Sequence, residues 1–132
     1  MDPRPDVIVD FVFEEGVLFV AVQNIGDQPA QRVHISFEPQ FKGLGGTVSI
    51  PELAMFRNIE FLAPARSIRT FLDSSAAYFA RHEPEQISVT ISYLDRSGQK
   101  FSATIRHDLA IYRDIAFLPI IQRSSASCGH TS

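Results

Sequence analysis

The chain has 132 residues, of which 45% are hydrophobic and 20% charged, and a formal net charge of −3. That length predicts a single domain with its own core, and the composition is that of a globular protein, not a disordered or collagen-like one. A mildly acidic balance gives no general attraction to phosphate polymers or anionic lipid, so nucleic acid is not expected as a partner.

The opening residues, MDPRPDVIVDF, lack the basic start and long apolar core of a secretory signal. No apolar run approaches the roughly 18 residues of a membrane span, so no direct membrane insertion is expected. VIVDFVF (7–13) and VLFVAVQ (17–23) are nearly continuous apolar runs joined by Glu14, Glu15 and Gly16. They read as a hairpin whose second strand is central in its sheet. In NIGDQP, Asn24 ends that strand, Gly26 is expected at positive φ, Asp27 is expected to bond its own backbone, and Pro29 fixes φ before the next strand. RVHISFE then alternates, with Val33, Ile35 and Phe37 inward and His34, Ser36 and Glu38 toward water. KGLGGT lacks the following helix and the Lys-Ser/Thr pair of a phosphate loop and is expected to be a flexible connection. A brief edge segment is predicted in GTVSIP, ended by Pro51.

RNIEFLA and SIRTFLD flank Ala63, Pro64 and Ala65, a turn between two short strands. DSSAAYFARHEP (73–84) is the one predicted helix, capped by Asp73 or Ser74 and ended by Pro84. QISVTISYL puts Ile87, Val89, Ile91 and Tyr93 inward, and KFSATIR does the same with Phe101, Ala103 and Ile105. Between them, YLDRSGQ suits a type I turn closed by a bulge at Gly98. About seven strands and one short helix predict an all-β, immunoglobulin-like antiparallel β-sandwich over residues 1–122, with 123–132 a disordered tail.

Three stretches, GVLFVAVQNIGDQPAQRVHISFEP, IEFLAPARSIRTFLD and ISVTISYLDRSGQKFSATIRHDLAIYRDIAFLP, resemble an uncharacterised bacterial immunoglobulin-like domain, an adhesion-type β-sandwich. The resemblance rests on the asparagine-x-glycine turn, the tyrosine-x-aspartate hairpin and the strand layout over residues 4–118. It implies a cytoplasmic domain, of the kind tethered in a longer membrane-anchored protein. Such domains usually place glycine after the turn proline, where this chain has Ala65. No catalytic residue comes with the resemblance.

The residues themselves point to no catalytic, cofactor or metal site. The single cysteine, Cys128, cannot form an internal disulfide, which fits a reducing, cytoplasmic compartment. His34, His82, His107 and His130 lack the close ligand pairs of zinc sites, and Cys128 with His130 is an isolated pair in the tail. No nucleophile-elbow motif accompanies the serines. The informative surface is DLAIYRDIAFLP, where Leu109, Ile111, Tyr112, Ile115, Phe117 and Leu118 exceed what an exposed tail tolerates. This strip either docks on its own sandwich or meets a second chain or a missing segment. The expected function is therefore a non-catalytic protein-interaction or scaffold module, with a protein partner or self-association. The alternative is a sensor domain for a small molecule or carbohydrate, built on a concave cluster of Phe41, Met55, Phe56 and Arg57.

Overall fold

A computed structural model of the chain describes residues 3–113. In chain order the strands are β1 (Val7–Glu14), β2 (Val17–Asn24), β3 (Ala30–Glu38), β4 (Lys42–Gly43), β5 (Val48–Ser49), β6 (Ile59–Leu62), β7 (Ser67–Ser74), β8 (Gln86–Leu94) and β9 (Lys100–Asp108). Seven of them build an antiparallel sandwich, one sheet ordered β1-β2-β7 and the other β6-β3-β8-β9, while β4 and β5 form a small ladder of their own. The predicted all-β sandwich is the observed fold. Among the described residues two short α-helices are present where one was expected: α1 (Ala54–Arg57) and α2 (Ser75–Ala80). For α2 the cap is Ser74, whose hydroxyl accepts from the Ala77 N–H at 3.1 Å. The four residues of α1 are too few to show a helical period, so the sequence carried no signal for it.

Period-two alternation places the core. Val7, Val9 and Phe11 of β1 and Leu18, Val20 and Val22 of β2 are buried, facing Val33, Ile35 and Phe37 of β3 and Ile87, Val89 and Ile91 of β8. The phenylalanines fill the gap between sheets edge to face: Phe37 lies 5.2 Å from Phe41 and 5.0 Å from Phe56, centroid to centroid. On β9 the expected inward row is only half covered, with Phe101 and Ile105 partly buried and Ala103 exposed. The four-stranded sheet is wider than its three-stranded partner, so its outermost strand overhangs the core.

Asn24, 1% exposed, ties four segments together. Its amide donates to the carbonyls of Gln28 (2.8 Å) and Leu62 (3.1 Å), and its side-chain oxygen accepts from the N–H groups of Asp6 (3.2 Å) and Gly26 (3.0 Å). Its own backbone completes the junction, donating to the Arg66 carbonyl at 3.0 Å and accepting from the Ala65 N–H at 2.9 Å. The turn after Asn24 works differently from the sequence reading. Gly26 is required by close approach and not by positive φ, since a Cβ there would sit 2.4 Å from the Arg4 carbonyl. Asp27 accepts from the Arg4 N–H at 3.0 Å, not from its own backbone.

The Ala63–Pro64–Ala65 turn does not join neighbouring strands of one sheet. It carries the chain from β6 in one sheet to β7 in the other. Ala65 takes φ 65°, the conformation the resemblance reserves for glycine. Holding an alanine there costs roughly 1–2 kcal/mol.

Two substitutions test this junction. Asn24→Ala leaves two carbonyls and two N–H groups without their partner and is expected to cost about 2–4 kcal/mol in urea unfolding. Ala65→Gly trades strain against unfolded-chain entropy and is expected to stabilise by about 0.5–1 kcal/mol. Indifference to Asn24→Ala, or a loss from Ala65→Gly, would contradict this account.

Candidate interaction surface

A sandwich leaves four edge strands, each presenting unpaired N–H and C=O groups, and each must be covered, shortened or left available. The β1 edge is closed by side chains from the opposite sheet and from the turn that follows it. His107 Nε2 donates to the Val9 carbonyl at 2.8 Å, and the Tyr112 hydroxyl donates to the Phe11 carbonyl at 3.0 Å. The Tyr93 hydroxyl meets the backbone of Val7. Rings reinforce the closure: His107 packs edge-on to Phe11 at 5.0 Å and Tyr112 stacks on Phe13 at 5.7 Å. Burial, and then the charge of Asp10, raises the Tyr112 hydroxyl above its ordinary pKa, so it stays a donor through the neutral range.

This places half of the expected interaction strip. Leu109 and Tyr112 lie on a 3-10 turn, Leu109–Tyr112, begun by Asp108, whose carboxylate accepts from the Ala110 N–H at 3.0 Å. Leu109 is buried and Tyr112 is docked on β1, so these two serve their own sandwich. Ile111 points outward, 65% exposed. Ile115, Phe117 and Leu118 lie outside the described residues, as does the tail 123–132.

The β7 edge is covered over its last residues. The loop at residues 42–46, expected to be flexible, is a tied structure: a Cβ at Gly43 would be 2.2 Å from the Leu72 carbonyl, and the Gly45 N–H donates to Asp73 Oδ2 at 2.9 Å. The anchor is Arg81 at the end of α2, which bonds Asp73 Oδ2 at 2.6 Å, Glu83 Oε2 at 3.3 Å and the Lys42 carbonyl at 3.0 Å. Glycine content, read as freedom, here permits contact. Burial pushes the Asp73 carboxyl up, but the Gly45 N–H, the Arg81 guanidinium and the Ser74 N–H together outweigh it and hold the pKa below the ordinary carboxylate value. The three ionic groups satisfy one another and brace a loop, the structural use of such a cluster.

Of the expected cluster of Phe41, Met55, Phe56 and Arg57, only Phe56 and Arg57 line the same hollow. Phe41 and Phe56 are core residues, 1% and 0% exposed, drawn in because ring burial against Phe37 outweighs any surface role. That hollow is open, about 340 Å³, and lies over the outer face of β3 and β8, where His34, Ser36, Thr90 and Ser92 line it beside Ile35, Phe56 and Arg57. Among the described residues no three metal-binding side chains come together.

The other two edges differ in kind. β6 has four residues, while β9 has nine and among the described residues pairs only with β8. The hydrogen bonds that bracket the β8–β9 ladder, Asp95 N–H to the Gln99 carbonyl at 3.0 Å and Leu109 N–H to the Glu85 carbonyl at 2.7 Å, fix which residues face β8. Phe101, Ala103, Ile105 and His107 bond inward, so the backbone groups of Lys100, Ser102, Thr104, Arg106 and Asp108 point to the open side.

A family model described as a domain of unknown function, DUF8453, matches residues 2–113. The chain belongs to that family. No curated protein and no solved structure was found to match. The matched span takes in both sheets, the ionic cluster and the 3-10 turn that closes β1, so these are parts of the DUF8453 domain.

The ionic cluster sets a pH dependence. A folded-state pKa below the unfolded value means that Asp73 contributes stability above about pH 4, lost as pH falls through the folded pKa. Asp73→Asn is therefore expected to cost about 2–3 kcal/mol at pH 7 and progressively less toward pH 2, where wild-type Asp73 is itself protonated. Urea unfolding across that range checks it, and a pH-independent difference would contradict it.

Proposed function

We propose that this domain is a non-catalytic interaction module that receives a protein strand along β9. The observation that carries the reading is the contrast between edges: β1 is closed by Tyr93, His107 and Tyr112, whereas alternate residues of β9, from Lys100 to Asp108, present regularly spaced backbone groups outward. An extended segment adding there would draw affinity from main-chain hydrogen bonds and selectivity from the side chains beside them. The placement among immunoglobulin-like, adhesion-type sandwiches is supported by seven strands split three and four, with the chain crossing between sheets after β2, β6 and β7. A cytoplasmic setting, and a tether to a longer membrane-anchored protein, are proposed on the single cysteine and on the sequence resemblance. Among the described residues no helix is long and apolar enough to cross a membrane.

A small-molecule or carbohydrate sensor is the second reading, favoured only by the open hollow at His34, Arg57 and Thr90. Enclosure is what such sites normally supply, and this one lies on a broad sheet face.

Thr104→Pro separates the readings. The Thr104 N–H faces the open edge, so proline there removes no bond to β8 and blocks an added strand. Proteins captured from host extract by the wild-type chain are expected to be lost with Thr104→Pro and kept with Arg57→Ala. The opposite pattern would contradict strand addition and favour the hollow.

A further inference from the structure

We infer that the β9 edge pairs with β9 of a second copy of this chain, antiparallel about a two-fold axis at Thr104, joining the two β6-β3-β8-β9 sheets into one. This deepens the strand-addition reading by naming the occupant, and it rests on that reading.

The argument is one of register. In an antiparallel pair, residues whose backbone groups point outward must face residues of the same kind, which restricts the axis to a few positions along β9. With the axis at Thr104, Lys100 opposes Asp108 of the partner, Ser102 opposes Arg106 and Thr104 opposes itself. The Lys100–Asp108 pairing occurs twice by symmetry, a closed, self-complementary arrangement. Moving the axis to residue 103 sets Lys100 against Arg106, a like-charge pair directly across strands. Moving it to residue 105 leaves both Lys100 and Asp108 without an opposite charge. An axis at residue 107 sets Arg106 against Asp108 but leaves Lys100 to Ile105 unpaired with β9, so among registers that pair the whole strand only the one at Thr104 matches charge to charge.

Neighbouring features agree with that register. The charged side chains of β9 all lie on the outer face of the sheet with Ser102 and Thr104, and Thr104 Oγ1 is already 3.2 Å from Thr90 Oγ1. Two-fold pairing extends this rung into a row from Ser36 through Thr90 and Thr104 into the partner's equivalents. The row is small and uncharged, so nothing bulky obstructs the approach of two edges. The charges flanking it act as guards: an unrelated strand meets Lys100, Arg106 and Asp108 in unfavourable order, and a second copy meets them in the favourable one.

The test uses the full-length chain. Sedimentation is expected to show a concentration-dependent dimer with a Kd on the order of micromolar, as suits a small interface. Lys100→Glu sets Glu against Asp108 at both ends and is expected to weaken the dimer by roughly tenfold, with an unchanged melting temperature extrapolated to the monomer. Arg66→Glu makes the same change in net charge on a turn away from β9 and is expected to leave the dimer intact. In a Cys128→Ser background, Thr104→Cys is expected to form an intermolecular disulfide on mild oxidation, because residues paired across the axis have Cα atoms about 5.5 Å apart. Ser102→Cys is expected not to form one, since that register carries the two Ser102 residues well apart. A chain that stays monomeric at hundreds of micromolar would overturn the inference, as would a dimer weakened equally by Arg66→Glu or cross-linked as readily through residue 102. Such a failure is distinct from failure of strand addition, because capture of another protein that Thr104→Pro abolishes would still stand.

Discussion

The need to dispose of backbone hydrogen-bonding groups at the sheet edges governs this molecule more than any single side-chain site. Among the described residues, a three-stranded sheet laid on a four-stranded one leaves β1, β7, β6 and β9 with one side each that no strand pairs. Buried and left unmet, each such group costs of the order of 1–3 kcal/mol. The chain answers differently at each edge. On β1, a histidine and a tyrosine reach across from the second sheet and a second tyrosine from the turn that ends it, so the contacts that cap the edge also clamp the two layers together. At β7 the cover is a glycine loop held by Arg81. Shortness limits β6, and β9 keeps its outward row.

Asn24 and Arg81 solve similar problems with different chemistry. Asn24 is neutral and buried at a junction where three loops and a strand end meet, and an amide supplies two donors and an acceptor without the desolvation cost of a charge. Arg81, partly open to solvent, braces a rim loop, and its side chain keeps enough water contact for a charge to be tolerated. Both hold turns to strand ends instead of filling the core. The fixed geometry of β9 depends on such turns: its start is set by Asp95, whose carboxylate accepts from the Ser97 and Gln99 N–H groups at 2.9 Å each, and its end by Asp108.

Much of the fold was legible because β-sandwich cores write themselves as alternation. Val33, Ile35 and Phe37 and the facing row from Ile87 to Tyr93 are buried as their period requires, and Gly98 holds the positive φ of 90° that its hairpin needs. What the sequence hid is long-range. Gly26 and Gly43 look like freedom until the backbone they touch is in place. Phe41 and Phe56 look like a surface cluster because their run has no period to show that it folds inward. Asn24 reads as a strand terminator, and nothing local announces that it bonds Leu62. The open edge of β9 was similarly invisible, since a strand's place at the rim depends on which strands pair and not on its own residues. Closure of β1 by His107 and Tyr112 spans about a hundred positions in the chain, beyond any local pattern.

Residue-resolved amide hydrogen exchange along β9 tests the central claim most directly, because it reads the edge itself. In dilute protein the amides of Ser102, Thr104 and Arg106 are expected to exchange far ahead of those of Phe101, Ala103 and Ile105, which bond to β8. Equal protection of both sets at the lowest concentrations would contradict the account, since the outward edge of β9 would then be covered within a single chain.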